Sequence, residues 1–360
     1  MSKKVCCLYP ALSLLFLVAL FFGLPFGLGL FFRDSDLVDT SSLALEPRVI
    51  ADEENSYFDF ESITPEEVLD EVMDELELHL NGEKWDADFA EDTLNDYAYL
   101  VDIVASAAEK PFFQDPRTYK PEEADYMDAI PEIYLMGAIR MNNLKALALM
   151  KDGKESEAFA QAYYSITIGM RIEESYGTFI SYLIGNTAKK SGIETLTLLV
   201  PETTDADLLR AYSEKLDESY PSEENLIQAY AVEYNIMSSI FDQIDENPDE
   251  LDAFMEIDLS NDLEEFFYPV FKKIGWNFYY HPNETRNLYY ELMHSRSEGE
   301  SSLFPEGPTA YFTENAMGLA LVEGIIPRLD VYDSERWNEE LLLIKNTQAE
   351  MDSQASALSH

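Results

Sequence analysis

Residues 144–172, LKALALMKDGKESEAFAQAYYSITIGMRI, decide the fold class of this chain. Apolar residues recur every three or four positions on both sides of Asp152-Gly153-Lys154, which is the spacing of two amphipathic helices. Glycine readily adopts the left-handed backbone that ends a helix, so Gly153 predicts a tight turn between them. The stretch therefore predicts an antiparallel helical hairpin whose first helix spans 131–152.

Helix signals continue on both sides of this hairpin. Thr64-Pro65-Glu66-Glu67 has the form of a capping box with proline at the first helical position, and Asn81-Gly82 marks the end of that helix. Alternating strand patterns are absent beyond a few residues. The chain is predicted to be all-α, an array of packed helical hairpins, of which 144–172 resembles a tetratricopeptide hairpin without a recurring repeat period. Further helices are predicted over 92–109, 178–199, 205–217, 222–244, 284–296 and 315–345.

The N-terminal segment differs from the rest of the chain. Lys3 and Lys4 precede an uncharged apolar run, residues 5–32, which is longer than the roughly 20 residues that span a bilayer. A signal peptide is the alternative, but its apolar region is shorter, and Gly27-Leu28-Gly29 is the only weak cleavage candidate. A retained membrane anchor is favoured. The lysine pair favours a cytoplasmic N-terminus and an extracytoplasmic C-terminal domain in the cell membrane.

The two cysteines of the chain, Cys6 and Cys7, lie at the cytoplasmic end of this predicted anchor. Disulfides therefore do not staple the exported part, which has to fold on its apolar core alone. Palmitoylation occurs at such positions, but two small apolar residues at a membrane boundary are the favoured interpretation.

Composition suggests four segments along the chain. Residues 1–33 form the cytoplasmic tip and transmembrane anchor, and 34–62 read as a polar tether. Residues 63–345 form an acidic, all-helical extracytoplasmic domain, with a subdivision suggested by the Ser-, Glu- and Gly-rich stretch 295–308. The polar residues 346–360 are predicted to be a frayed tail.

Charge excludes several kinds of partner. The formal net charge is −46, and the N-terminal 33 residues carry no acidic side chain, so the rest of the chain is more acidic still. Such a field repels nucleic acid and anionic headgroups. It attracts basic proteins, cationic polymers and, weakly, metal cations on its acidic faces, although the simplest interpretation is a solvated helix surface.

The sequence contains one weak candidate for a catalytic or metal-binding site. Glu291 and His294 have the Glu-x-x-His spacing of a helical di-iron ligand pair, but such a centre needs two of these motifs and two more glutamates. No metal site and no cofactor are therefore predicted. His281 and Asn283 lie close by in sequence, so His281, Asn283, Glu291 and His294 form the alternative site of a hydrolase or metal-dependent enzyme. Asn283 is otherwise predicted to be a helix N-cap, and it also begins a glycosylation sequon.

Several short segments occur in a recognisable order after the apolar run. They are AEKPFFQDP at 108–116, the Gly153 turn, HPNET at 281–285 and NAMG at 315–318, which opens a helix running to Pro327. This order resembles an uncharacterised family of bacterial single-pass membrane proteins with a helical exported domain, over most of 45–345. A Tyr-Arg-x-x-x-Gly-x-Tyr-Pro type segment, which many relatives have, is missing here. The resemblance implies membrane topology and bacterial origin, and it carries no activity.

Three functions are consistent with these patterns. The first hypothesis is a membrane-anchored helical scaffold or adaptor in the cell envelope, which binds another protein or a cationic envelope component. The second is the membrane-tethered enzyme with a site near 281–294. The third is a solute- or cation-binding module, which would show a carboxylate-lined cavity.

Overall fold

The computed structural model describes residues 36–43, 45, 48–61, 63, 72–116, 132–246, 282–297 and 334–359. These ranges are helical apart from short connections and one isolated bridge between Asn55 and Phe112, so the prediction of an all-α fold is confirmed. Numbered in chain order within the described ranges, the helices are α1 (Tyr57–Phe60), α2 (Met73–Leu80), α3 (Ala87–Asp96), α4 (Ala98–Glu109), α5 (Glu132–Lys151), α6 (Glu155–Glu173), α7 (Phe179–Leu199), α8 (Ala206–Lys215), α9 (Glu223–Glu246), α10 (Pro282–Ser297) and α11 (Ser334–Leu358).

The chain divides into two compact units. Unit 1 comprises Met1–Ala44 and Tyr234–Val331, and unit 2 comprises Leu45–Glu233 and Tyr332–His360. The sequence predicts one helical domain over 63–345, with a subdivision at 295–308. The boundary between the two units falls inside α9, at Tyr234. The predicted subdivision at 295–308 lies almost entirely outside the described residues and stays a prediction.

Helices α5, α6 and α7 form the centre of unit 2 and pack against one another. The turn between α5 and α6 is the predicted one, since Gly153 has φ of 75° and both neighbouring helices end or begin within two residues of it. Helix α7 begins where the Thr178 side chain accepts a hydrogen bond from the backbone N–H of Ser181, at 3.1 Å. The central hairpin and α7 therefore follow the local signals of the sequence.

Two apolar clusters cover these central helices. The first joins them to α1–α4 and includes Phe60, Leu100 and Ile139, all buried. The second joins them to α8 and α11 and includes Phe159 and Ile344.

Helices α6 and α7 approach each other closely at glycines. A Cβ atom added to Gly169 would lie 2.5 Å from the carbonyl oxygen of Gly185 and 2.5 Å from the backbone nitrogen of Lys189. One added to Gly192 would lie 2.7 Å from the Ile166 side chain. The glycines therefore bring the two backbones almost into contact.

The predicted tether and tail both differ from the structure. Tyr57 and Phe60, within 34–62, are buried in the first apolar cluster. The tail is part of α11, and Met351 and Ala355 are buried in the second cluster. The tail looks polar because its apolar residues are few and form a narrow stripe on α11, which tertiary packing covers. Tyr57 and Phe60 are buried because they contact residues distant in the chain.

Some of the other predicted helix boundaries agree with the structure and some do not. The helix predicted over 92–109 is instead α3 and α4, which meet at Tyr97. Helix α2 ends as predicted, at Asn81 and Gly82, where φ is 70°. The capping box at 64–67 lies outside the described residues, and so does the predicted anchor at 5–32.

Among the helices that the structure does describe, none has the length and apolar character that crossing a membrane requires.

Unit 1 is described mainly through α10 and the second part of α9. The Tyr289 ring packs edge-on against Phe241, with ring centroids 5.7 Å apart, and stacks with Tyr234 at 6.2 Å. Arg286 forms an ion pair with Asp242. The Asn287 side chain accepts a hydrogen bond from the backbone of Val38 at 3.0 Å, which ties the extended N-terminal segment of this unit to α10.

Candidate functional site

A cluster of three charged side chains lies buried where α6, α7 and α11 meet in unit 2. The ammonium group of Lys189 on α7 is 2.6 Å from Oε2 of Glu173 on α6 and 2.5 Å from Oε1 of Glu340 on α11. The three side chains are 0%, 3% and 2% exposed, respectively. Charges are rarely buried to this extent, so the cluster is the most unusual chemical feature of the described residues. We call it the charged cluster.

Local structure explains how a lysine becomes so deeply buried. Lys189 is next to the close approach of α6 and α7, where its backbone nitrogen faces Gly169. Asn186 lies one helical turn before Lys189, and its side-chain amide donates a hydrogen bond to Oε2 of Glu340. Glu340 therefore has partners for both carboxylate oxygens, one from Lys189 and one from Asn186.

Glu173 has a less favourable environment. It is the last residue of α6, where the helix dipole disfavours negative charge. Its Oε2 accepts a hydrogen bond from Lys189, while its Oε1 is buried without a hydrogen-bond partner among the described residues. The pKa of Glu173 is raised to about 7, chiefly by burial, with the attraction of Lys189 opposing and the repulsion of Glu340 adding to the rise.

The lysine of the cluster remains a cation. Burial lowers the pKa of Lys189, but the two carboxylates outweigh this and raise it above its usual value. With both carboxylates ionised, the cluster carries a net charge of −1 inside the protein. One proton bound to Glu173 makes it neutral, so the arrangement can store a proton near neutral pH. Its full burial argues against a role as an exposed nucleophile or base.

A second polar cluster lies where α5, α6 and α7 meet, and it contains no charge. The Asn142 amide donates to Oγ of Ser165 at 2.8 Å and to the carbonyl of Gln161 at 2.7 Å. The Ser165 hydroxyl donates to Oδ1 of Asn143 at 2.7 Å, and Asn143 donates to Oγ of Ser191 at 2.8 Å. We call these five residues the neutral network. It supplies matched donors and acceptors, which makes a buried polar group tolerable.

The AEKPFFQDP segment has a structural role in the first apolar cluster. The Asn55 side chain donates to the carbonyl of Gln114 and accepts from its N–H, both at 2.8 Å. The Gln114 side chain pairs in the same way with Tyr176, donating to its carbonyl at 3.0 Å and accepting from its N–H at 2.8 Å. Two amide side chains thus join three separate stretches of unit 2.

His79, which the sequence alone leaves without a role, is buried at the end of α2. The backbone N–H of Asp86 donates to its Nε2 at 3.0 Å, so the ring proton lies on Nδ1 and is donated to the carbonyl of Glu75 at 2.8 Å. The ring also stacks on Phe89, with centroids 4.8 Å apart. These contacts hold the loop between α2 and α3, which is a structural function.

The outer side of α3 is an exposed acidic surface. Its exposed carboxylates recur at the three- and four-residue spacing of one helix face, while Ala90 and Thr93 on the other side are buried. The exposed side chains of Tyr99 and Asp102 follow on α4. We call this surface the α3 acidic face; its α3 members are Asp88, Glu91, Asp92 and Asp96.

The four residues of the predicted enzyme site are described only in part. His281 lies outside the described residues, and the position of the His294 side chain is outside them as well. On α10, Glu291 is exposed, and Asn283 accepts a hydrogen bond from Arg286 at 3.1 Å. Asn283 is the second residue of α10 and not its N-cap, because the helix already begins at Pro282, whose fixed φ suits the first helical position.

Among the described residues, no group of three or more His, Cys, Asp or Glu side chains is arranged to hold a metal ion. The acidic side chains of the buried charged cluster are already engaged with Lys189 and Asn186.

Sequence reasoning missed the charged cluster, although one signal was present. Lys189 sits between Ala188 and the Gly192-Ile193 pair on the apolar side of α7, where a charged residue is unexpected. Glu173 and Glu340 carry no such signal, because each lies beside other acidic residues that are exposed.

In comparisons with protein-family models, with curated proteins and with solved structures, nothing matches this chain.

Proposed function

We propose that this protein is a membrane-anchored helical scaffold or adaptor of the cell envelope, which binds a basic protein or another cationic envelope component through its acidic surface. The observation that supports this is the placement of its acidic residues. Of the many Asp and Glu side chains in the described ranges, Asp115, Glu173 and Glu340 are the buried ones. The other acidic side chains whose burial the structure describes are at least partly accessible, so a positively charged partner can reach them.

The α3 acidic face is the most regular part of this surface. Its carboxylates lie on a helix that is fixed by the Asp86 cap, whose side chain accepts from the N–H of Phe89 at 3.2 Å, and by buried Ala90 and Thr93. A preorganised array of like charges loses little conformational entropy on binding and raises the association rate of an oppositely charged partner. These properties suit an adaptor.

The membrane part of the proposal rests on the sequence. The apolar run at 5–32 would anchor the chain, with Lys3 and Lys4 in the cytoplasm and the residues after the run outside it. A tetratricopeptide-like character of the hairpin formed by α5 and α6, and membership of the bacterial family that the sequence resembles, belong to the same proposal. Each is consistent with a protein that presents a helical surface to a partner.

In-cell photo-crosslinking of the full-length protein tests this function. A photo-reactive amino acid replaces Asn95, which is exposed on the α3 acidic face, and in a matched chain it replaces Ala357, which is exposed on α11. We expect mass spectrometry to find a reproducible basic neighbour from position 95 and not from position 357. Changing the four α3 carboxylates to their amides should abolish that crosslink.

The same experiment separates the adaptor from the enzyme hypothesis. A crosslink that persists when His294 is replaced by Ala, but is lost in the four-amide variant, supports the adaptor. A crosslink that survives the four-amide variant contradicts charge recognition by α3. If position 95 gives no neighbour above background, the proposal fails, and the alternative site at 281–294 becomes the better hypothesis.

A further inference from the structure

Helix α11 is held in unit 2 by two different kinds of contact. From Leu343 onward it packs with the second apolar cluster, and Gln348 donates hydrogen bonds to Ser213 at 3.0 Å and Asp217 at 2.8 Å. Before Ile344 its buried anchor is Glu340, which meets Lys189 and Asn186. We call residues 337–343 the latch segment. Glu340 is the buried side chain of this segment, so its pairing in the charged cluster contributes to the attachment, and Leu343 adds a partly buried apolar contact at the end of the segment.

The charged cluster lacks electrostatic balance unless it binds a proton. One ammonium group faces two carboxylates, and all three are shielded from water. Glu340 has Lys189 2.5 Å from its Oε1 and accepts a hydrogen bond from Asn186 at its Oε2. Oε1 of Glu173 has no hydrogen-bond partner among the described residues and can carry the proton. An ionised Glu173 would place an uncompensated negative charge beside Glu340.

Other charged groups near this site are engaged elsewhere. On α6, Arg171 donates to the carbonyls of Ala107 and Ala108 on α4, and Glu174 is exposed. On α7, Lys190 is exposed, and on α9, Glu233 accepts a hydrogen bond from the N–H of Phe179. The charges that act on Glu173 are therefore those of Lys189 and Glu340.

The neighbouring charged side chains described on α5 and α11 are likewise paired elsewhere or exposed. Arg140 of α5 faces Glu77, 3.9 Å away, and Glu339 and Lys345 of α11 are exposed.

We propose that the charged cluster is a proton-dependent latch, which holds the latch segment on α6 and α7 when Glu173 is protonated and loosens it when Glu173 loses its proton. This device is independent of the adaptor function. Loss of the proton leaves two buried carboxylates for one lysine, and separating Glu340 from Glu173 relieves their repulsion. Opening also admits water to both. The segment from Ile344 onward stays attached through its apolar contacts.

The sign of the effect follows from proton linkage. When the latch is open, Glu173 is hydrated and titrates near its usual pKa, whereas in the closed latch its pKa is about 7. The closed state therefore binds the proton more tightly, and opening becomes more favourable as pH rises from about 4.5 to about 7. Above that range the proton is lost in both states, and the dependence ends.

Hydrogen exchange of the full-length chain in detergent tests the latch. Protection factors, corrected for the intrinsic pH dependence of exchange, are compared at pH 6 and pH 8 for peptides covering 337–343 and 158–169. We expect the latch segment to lose protection by about tenfold over this interval, since one proton is linked to opening. Residues 158–169 of α6 should remain more protected than the latch segment at both pH values.

Three variants make the test specific. Glu173→Gln keeps the shape of the protonated acid and cannot ionise, so its latch segment should stay protected at pH 8. Glu340→Gln leaves one carboxylate for one lysine, so it too should lose the pH dependence. Glu174→Gln changes the exposed neighbour and should behave like the unmodified chain.

Two results would overturn the proposal. One is a latch segment in the unmodified chain whose protection is the same at pH 6 and pH 8. The other is a tenfold fall that persists in Glu173→Gln or, if that variant does not fold, in Glu340→Gln.

Discussion

The charged cluster and the neutral network both involve α6 and α7, yet they meet the cost of burial differently. In the neutral network, Asn142, Asn143 and Ser165 exchange hydrogen bonds of 2.7 and 2.8 Å. In the charged cluster, Lys189 lies between two carboxylates, and one carboxylate oxygen of Glu173 lacks a hydrogen-bond partner in the described structure. Neutral amides and hydroxyls need only hydrogen-bond partners in the right positions. One ammonium group with two carboxylates also needs a bound proton to become electrically neutral.

The two regions should therefore differ in how their stability depends on pH. Both regions are closely packed, and both join α7 to its neighbours, so both should contribute to stability. The free energy of the neutral network should not depend on pH near neutrality, because none of its groups titrates there. The free energy of the charged cluster should depend on pH, because Glu173 titrates near neutrality.

The largest expected effect comes from removing the cation. Lys189→Met keeps the side-chain length but leaves Glu173 and Glu340 without their shared partner. We expect the free energy of unfolding at pH 8 to fall by about 3–5 kcal/mol, measured by chemical denaturation. The loss should be smaller at pH 5, because the raised pKa of Glu173 keeps that carboxyl protonated there. Lys190→Met at the exposed neighbouring position is the control, and an equal loss there would contradict the special role of Lys189.

The second effect is the pH dependence itself. Because the folded pKa of Glu173 is raised to about 7 from 4.5, its contribution to stability is fully present below about pH 4.5 and is lost as pH rises to about 7. The other carboxylates of this acidic chain also titrate, so the informative quantity is the difference between the unmodified protein and Glu173→Gln. We expect that difference to change by up to about 3 kcal/mol across the interval. Parallel stability curves would show that Glu173 is not linked to folding.

The third effect tests the helix approach that both polar regions require. In Gly169→Ala the new methyl group would meet the backbone of Gly185 and Lys189 at 2.5 Å, so α6 and α7 have to separate. We expect destabilisation of about 1–3 kcal/mol, visible as a lower Tm. At an open helical position the same change stabilises by about 0.5–1 kcal/mol, so the sign alone is decisive. A raised Tm would mean that the close approach is not needed.

The smallest effect belongs to the neutral network. Asn143→Ala removes the acceptor of the Ser165 hydroxyl and the donor to Ser191. We expect destabilisation of about 1–2 kcal/mol in denaturant unfolding, because a buried hydroxyl loses its partner. The loss should be equal at pH 6 and pH 8, unlike the loss in Lys189→Met. A loss that changes with pH would contradict the inference that the stability of the neutral network is independent of pH.

Much of the helical framework could be predicted from local patterns. The Asp152-Gly153-Lys154 turn and the helices on both sides of it appear where apolar spacing and glycine indicate them. The buried positions of Tyr57 and Met351 could not be predicted in the same way, since their segments are short of apolar residues. What buries them is the partner surface, which comes from distant parts of the chain.

The candidate site was predictable only at one residue. A lysine on the apolar side of α7 is an anomaly that a sequence shows, and Lys189 is such a lysine. The partners on α6 and α11 are separated from it by 16 and about 150 residues, and nothing in their local sequence distinguishes them from exposed glutamates. The alternative enzyme site at 281–294 remains a prediction, because the structure describes Asn283 and Glu291 but not the side chains of its histidines.

The helical class, the position of the central hairpin and the strongly acidic charge follow from the sequence, because propensity, periodicity and composition are local or additive properties. Which charges are buried depends on the tertiary structure. The burial of Glu173, Lys189 and Glu340 depends on the close approach of α6 and α7 at glycines and on the return of the C-terminal helix α11 to the same crossing. Their pairing, and the proton that it requires, arise from contacts between residues far apart in the chain.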